Sequence, residues 1–346
     1  MKKRIIACSD GTWNKPGGLD RGKPVKTNVE LMYESICKDG NGVKQLKLYD
    51  SGVGTGYTAK DKFLGATEGF GIDQKIQDIY KFLILTYEEE DEIFLFGFSR
   101  GGYTARSVVG MINCCGILKP EYLHLINEAY YLYRNKNIYT HPESDLMVGF
   151  KNQYSRQPKI KFLGVWDTVG SLGVPLRISK IQNKNKYQFH DVKVSKIVEH
   201  AYHALAIHDL RFPFTPTFME KGDSAKTGQV KQTIEQRWFS GVHANVGGGY
   251  SDRGLSDLPL QWLMKKATEL CLCYDEEQLK QMKPDPKGEL RNSYTPLYWG
   301  WLPKWRTIYG ENQVNEVLDK SVIERYDKKY MPKVVKKAIE KGIPIN

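Results

Sequence analysis

Residues Asp91–Arg106 read DEIFLFGFSRGGYTAR. Ile93–Phe96 is a short apolar run with the look of a buried strand. Gly97-Phe98-Ser99-Arg100-Gly101 then turns the chain, and Tyr103–Val109 continues with residues that suit a helix. A serine between two glycines at a strand-to-helix turn is the layout of a nucleophile elbow. The glycines permit the sharp bend and the close approach of other groups. The hydroxyl is then exposed above a sheet, beside helix amides that favour developing negative charge. The pattern itself is short, and both residue types are common in loops. The flanking elements and the rest of the chain therefore decide its meaning.

Upstream, Lys3–Ser9 predicts a strand that ends at the acidic-glycine turn Asp10-Gly11-Thr12-Trp13-Asn14. Asn28 is expected to cap a helix running through Cys37, and Gln45–Tyr49 predicts a second strand. The loops Gly52–Gly56 and Gly65–Gly71 are rich in glycine, and Ile72, Ile76, Ile79, Tyr80, Leu83 and Tyr87 recur at helical period. Strand, helix, strand, helix, strand is the alternation of an α/β chain with a parallel sheet.

Downstream, Tyr122–Tyr133 reads as a helix and Lys159–Val165 as a strand ending at Trp166-Asp167-Thr168. Asn183–Asn185, with flanking lysines, reads as an exposed insertion. Val198–Ala206 is expected to be helical and to run into His208-Asp209. Gln236–Ser240 predicts a further strand ending at Gly241-Val242-His243, and Leu258–Leu272 an amphipathic helix. The expected organisation is one catalytic unit over residues 1–275, with insertions near 118–157 and 174–235. An aromatic- and Lys-rich extension, 276–346, packs on the same unit.

The 346 residues give room for a large α/β domain with insertions. Lys plus Arg number 51 against 40 acidic residues, a net charge of +11 that suits an anionic membrane surface. The basic residues are dense in Lys180–Lys186, Lys193–Lys196 and Lys328–Lys341, and solvated faces are the alternative reading. No nucleic-acid-binding motif is present, so nucleic acid is not an expected partner. No segment approaches the roughly 20 apolar residues needed to cross a bilayer, and the apolar part of MKKRIIACSDG is too short for a signal peptide. The expectation is a protein cytoplasmic as synthesised, exported only by a signal-independent route. Cys8, Cys37, Cys114, Cys115, Cys271 and Cys273 lack metal-site spacing, and free thiols are expected.

Three strand ends carry candidate chemistry: Ser99, Asp167 and His243. Their order along the chain is that of α/β-hydrolases. A serine hydroxyl is a weak nucleophile, so a histidine must take its proton during attack. A carboxylate on the other imidazole nitrogen holds the tautomer and stabilises the imidazolium. Competing histidines are His200, His203 and His208, the last beside Asp209 as an alternative acid–base pair. Asp209, Asp252 and Asp257 are competing acids. The oxyanion donors expected are the amide of Arg100 and one from the loop after the first strand, Thr12 or Gly11. Asp10 is a supporting carboxylate; a metal shared by Asp10 and Asp50 would need further ligands that the sequence does not show.

These segments resemble a bacterial α/β-hydrolase domain of unknown function that is shared with the first family of type VI secretion phospholipase effectors, where it is the catalytic part. The resemblance lies in SDGTWN (Ser9–Asn14), GFSRGGYTAR (Gly97–Arg106), GVWDTVGSLG (Gly164–Gly173), HALAIHDLR (His203–Arg211) and WFSGVHANVGGGY (Trp238–Tyr250). Weaker matches are KPDPKGELRNSY (Lys283–Tyr294) and SVIERY (Ser321–Tyr326). The resemblance implies an α/β-hydrolase-like fold, with a mostly parallel central sheet and helices on both faces. It also implies a serine hydrolase acting on lipid esters without a cofactor, and places Ser99, Asp167 and His243 on the catalytic serine, acid and histidine. Gly102 stands where alanine is usual, a change expected to be tolerated, and Asn245 stands where aspartate is usual.

The function expected is a lipase or phospholipase A-type acyl hydrolase. The alternatives are a soluble intracellular esterase or thioesterase with the same residues, or a binding or scaffold protein that keeps the fold. The aromatic stretch Trp299–Trp305 suits a membrane interface, or equally packs the C-terminal region onto the core.

Overall fold

The strands of the main sheet are apolar on both faces, so each face needs its own cover of helices. In the computed structural model, residues 2–11, 14–52, 70–135, 137–169, 193–295, 302–310, 315–327 and 329–346 are described. Thr12, most of the two glycine-rich loops, Lys180–Lys186 with the insertion around Asn183–Asn185, and Trp299–Trp301 lie outside the described residues.

The sheet has eight strands: β1 (Lys3–Ser9), β2 (Asp39–Gly40), β3 (Val43–Asp50), β4 (Glu92–Phe98), β5 (Ile160–Trp166), β6 (Val198–Ala206), β7 (Thr233–Phe239) and β8 (Glu316–Leu318). Their spatial order is β8-β7-β6-β5-β4-β1-β3-β2. All neighbours pair in parallel except β2, which lies antiparallel on β3. The order reverses at β1, between β3 and β4, and such a reversal opens a crevice at the carboxyl ends of the strands.

Among the helices are α1 (Asn28–Ser35), α2 (Phe70–Thr86), α3 (Arg100–Cys115), α4 (Ile126–Arg134), α5 (Asp145–Tyr154), α6 (His243–Gly247), α7 (Gly254–Thr268), α8 (Lys320–Arg325) and α9 (Lys333–Glu340). Alternate strand residues feed two cores. Ile5, Ala7, Ile93, Leu95, Leu163 and Val165 pack with α2, α3 and α4 on one face. Ile6, Cys8, Phe94, Phe96, Phe162 and Trp166 pack with α1 and α7 on the other. A third cluster, including Leu205, Trp238, Leu318, Val322 and Val335, joins the C-terminal elements to the sheet edge. The fold is thus α/β-hydrolase-like, a mostly parallel sheet with helices on both faces. All six cysteines are free, and no helix among the described residues is long and apolar enough to cross a membrane.

Two local expectations need correction. Val198–Ala206 is a central strand, not a helix, and it lies within the stretch read as an insertion. Its alanines and spaced histidines suit a helix in isolation. Pairing with β5 and β7 on either side overrides that preference. The cap of α1 is Thr27, whose Oγ accepts from the Glu30 amide at 3.1 Å. Asn28 instead turns inward and donates to the carbonyls of Val246 and Ser256, both at 2.9 Å.

Gly102, by contrast, stands where there is no room for the alanine that is usual at this position. A Cβ at this position would lie 2.4 Å from the Oγ1 of Thr168. Thr168 is fully buried, its amide donates to His203 Nε2 (3.0 Å) and its carbonyl accepts from Thr217 (2.9 Å). With the backbone pinned, only the stiff β-branched side chain is left to yield. Gly102→Ala is therefore expected to lower stability by about 1–3 kcal/mol, read by denaturant melts. Thr168→Ala should recover most of it in the double variant. A Gly102→Ala melt that overlays the parent would remove this argument.

Candidate active site

β4 delivers Ser99 at its carboxyl end. The Ser99 amide donates to the Trp166 carbonyl at 3.0 Å, tying the turn to the end of β5. Ser99 has φ 56° and ψ −122°, a conformation that L-residues rarely adopt. Gly101 lets the turn sit against the first loop, since a Cβ there would be 2.1 Å from the Ser9 carbonyl oxygen. Behind it, α3 presents a helix start in which Ser99 makes no side-chain cap. In any α-helix the amides of the first turn have no carbonyl of their own helix to bond.

The ends of β5 and β7 bring the other two residues to this point. His243 Nε2 lies 2.8 Å from Ser99 Oγ, and His243 Nδ1 lies 2.6 Å from Asp167 Oδ2. With the proton on Nδ1 directed at Asp167, Nε2 accepts from the serine hydroxyl. The imidazole is packed by the rings of Phe98 and Phe214, with centroids 4.6 and 5.0 Å away. Burial lowers its pKa against the opposing pull of Asp167, which favours the neutral ring.

Asp167 has no exposed surface. Besides His243, it accepts from the Ala206 amide (3.0 Å, Oδ1) and from both terminal nitrogens of Arg306 (2.6 Å to Oδ1, 3.0 Å to Oδ2). Desolvation alone would raise its pKa. Arg306 and His243 outweigh that and hold the carboxyl far below the usual carboxylate range. Arg306 was not singled out in the sequence, where it is one cation in an aromatic stretch. No pattern of spacing marks it.

Asp209 lies at the end of β6, in contact with the backbone of His243. Its Oδ2 accepts from the His243 amide at 3.1 Å and from Ser293 at 3.2 Å, while Arg211 pairs with both of its oxygens (2.9 and 2.6 Å). His208 goes elsewhere: Nδ1 accepts from the Gly241 amide (2.9 Å) and Nε2 faces the Tyr326 hydroxyl (2.7 Å). Burial pushes His208 down to about 4 and His203 down to about 3, so both are neutral structural groups. The pairing of His208 with Asp209 is thus not formed.

Asp10 organises the neighbouring loop rather than touching Ser99. It accepts from Gly11 N (2.6 Å), Thr27 Oγ1 (2.5 Å), Tyr49 Oη (2.8 Å) and Asn14 Nδ2 (3.3 Å). The Gly11 amide is thereby committed to Asp10, which removes it from the oxyanion donors expected. Arg100 remains a candidate, and Thr12 lies outside the described residues. Asp50 pairs with Lys75 at 2.5 Å, and burial still raises its pKa to about 6. Asp252 is exposed and accepts from the amides of Gly254 and Glu289, away from the site. Among the described residues no group of three or more His, Cys, Asp or Glu could hold a metal. Asn245 accepts from Val242 N (3.2 Å) and Arg291 N (3.3 Å) and donates to the Glu289 carbonyl (3.0 Å). An aspartate could not make that last bond.

Comparison with known proteins gives four findings beyond the geometry. The Saccharomyces cerevisiae protein "Uncharacterized protein YEL023C" is 29% identical over 232 residues, 61% of this chain and 32% of the yeast protein. A crystal structure of an uncharacterized protein from Pseudomonas aeruginosa aligns over 83% of this chain and 49% of its own, at 16% identity and TM-score 0.47. The Tle1 effector, solved bound to the VgrG spike of the type 6 secretion system, aligns over 73% and 52%, at 18% identity and TM-score 0.41. The chain therefore spans about a third of the yeast relative and about half of each structure. The family described as "T6SS, Phospholipase effector Tle1-like, catalytic domain" matches residues 3–266. By that match, over most of its length, the chain belongs to the family of Tle1-like phospholipase effector catalytic domains.

Proposed function

We propose that the protein is a serine-dependent carboxylic ester hydrolase that acts on lipid esters, of the phospholipase A type. The observation that carries this is the continuous hydrogen-bonded line from Ser99 Oγ through His243 to Asp167, at 2.8 and 2.6 Å. In the reaction, Ser99 Oγ attacks the acyl carbonyl while Nε2 of His243 takes its proton. Asp167 orients the ring and stabilises the imidazolium. The oxyanion of the tetrahedral intermediate is held by the amide of Arg100. His243 then gives its proton to the departing alcohol. Water attacks the acyl-serine by the same route in reverse, and the fatty acid leaves. No step calls for a cofactor.

Support for a lipid comes from the rim. Phe212, Leu302 and Trp305 are 51, 88 and 46% exposed. Lys304 Nζ lies 5.7 Å from the Phe212 ring centroid, and the Lys304 amide donates to Leu210. Phe214, on the same loop, touches His243. Exposed apolar side chains beside a cation suit a membrane interface.

The test is mass-spectrometric analysis of phosphatidylglycerol and phosphatidylethanolamine vesicles, run beside short soluble esters. Free fatty acid and lysophospholipid are expected from the wild type and not from Ser99→Ala. Hydrolysis confined to short soluble esters would shift the reading to a soluble esterase. Equal turnover by Ser99→Ala would end the serine mechanism.

A further inference from the structure

Asp167 is held from two sides, and the second side comes from far along the chain. Arg306 lies beyond residues 3–266, the part that the family matches. Its guanidinium is buried and makes four bonds in one plane-fixing set. Nη1 donates to Asp167 Oδ1 (2.6 Å) and to the Ala206 carbonyl (2.7 Å); Nη2 donates to Asp167 Oδ2 (3.0 Å) and to the Phe214 carbonyl (2.6 Å). A bidentate arginine fixes both the plane and the distance of a carboxylate, which a lysine cannot do.

We propose that Arg306 is a positioning residue for this site: it clamps Asp167 into the orientation that His243 needs and sets how readily His243 takes up a proton. The proposal rests on the serine-hydrolase reading above. A free Asp167 would offer its full charge to the imidazolium. Shared with Arg306, the carboxylate stabilises that imidazolium less, so the ring stays neutral and able to accept from Ser99 down to lower pH. The other groups facing the ring act on the same balance. Asp209 meets the His243 amide and favours protonation, while Arg211, paired with Asp209, opposes it. Phe98 and Phe214 carry no charge. The two carbonyl bonds also tie the end of β6 and the Phe212–Phe214 turn to the acid. One side chain thus joins the C-terminal segment, the turn beside His243 and the carboxylate.

The experiment measures the rate of fluorophosphonate labelling at Ser99 against pH for wild type, Arg306→Gln and Arg306→Lys. Thermal melts report which variants fold. The reaction needs neutral His243, so the acidic limb of the profile reads its protonation. Loss of the positive charge raises the affinity of His243 for the proton. In Arg306→Gln the limb is expected to move to higher pH by about one unit, with the plateau rate down about tenfold or more. Arg306→Lys keeps the charge and loses the fork, so its limb stays close to the wild-type position while its plateau falls. A purely structural role would lower the amount labelled without moving the limb. A folded Arg306→Gln with the wild-type limb and plateau overturns the proposal. If that variant does not fold, a wild-type plateau in Arg306→Lys overturns it. Failure of the wild type to label at Ser99 would instead remove the serine reading on which the proposal stands.

Discussion

Ser99→Ala is expected to lower ester hydrolysis by about 10⁴-fold or more while leaving the protein folded. Removing Oγ takes away the atom that the proposed reaction acylates, the one that lies 2.8 Å from His243 Nε2. The fold should tolerate the change because the packing of the turn depends on backbone and glycine, not on the hydroxyl. Ser99→Gly makes the point more sharply. The φ of 56° imposes strain of order 1–3 kcal/mol on a non-glycine residue. Glycine relieves it, at an entropic cost of roughly 0.5–1 kcal/mol. The Ser99→Gly protein should thus match or exceed the wild type in melting temperature and have no activity. Such a result would identify Ser99 as a residue kept for chemistry against stability. A Ser99→Gly protein that melts well below wild type would contradict the strain argument.

Asp167→Asn should differ in kind, losing both activity and stability. An amide in place of the carboxylate can donate to Nδ1 of His243, which leaves the ring proton on Nε2, the nitrogen that must accept from Ser99. A loss of about 10⁴-fold in kcat follows from that tautomer alone. The change also strands Arg306, whose side chain is almost wholly buried against Asp167. Breaking a buried pair by removing one partner costs about 3–5 kcal/mol. Asp167 has a folded pKa below its unfolded value of about 3.9. Its contribution to stability is therefore fully present above about pH 4 and is lost as the pH falls below that toward the folded value. The gap between wild type and Asp167→Asn in denaturant melts should be wide at neutral pH and narrow in acid. A gap that stays constant from neutral pH into acid would mean that the pair contributes nothing.

The parts of the chain legible from sequence are those whose signal is local. The elbow at Gly97–Gly101 shows itself because a serine bounded by glycines between an apolar run and a helix needs no distant partner. Asp167 and His243 are legible for a related reason. Parallel strands bring their carboxyl ends to one edge, so chemistry-bearing residues just past predicted strands are natural neighbours. The misread parts depend on partners far away in sequence. The strand Val198–Ala206 has helical composition, and only its two neighbours in the sheet make it a strand. Gly102 carries no local sign that a Cβ there would meet Thr168. Gly11 looks like a free donor until the Asp10 side chain takes its amide. Arg306 carries no signal in its own surroundings, because its meaning comes entirely from Asp167, 139 residues earlier.

That distance bears on when the protein becomes active during its own synthesis. A chain made from its amino terminus exposes Ser99, Asp167 and His243 well before Arg306, and β8 later still. Until the last segment arrives, the buried carboxylate lacks its counter-ion and the sheet its eighth strand. A nascent chain would hold the nucleophile and its base without the cation that settles the acid. Late delivery of that cation means that an unfinished chain carries the serine, the imidazole and the carboxylate before the carboxylate is clamped in place.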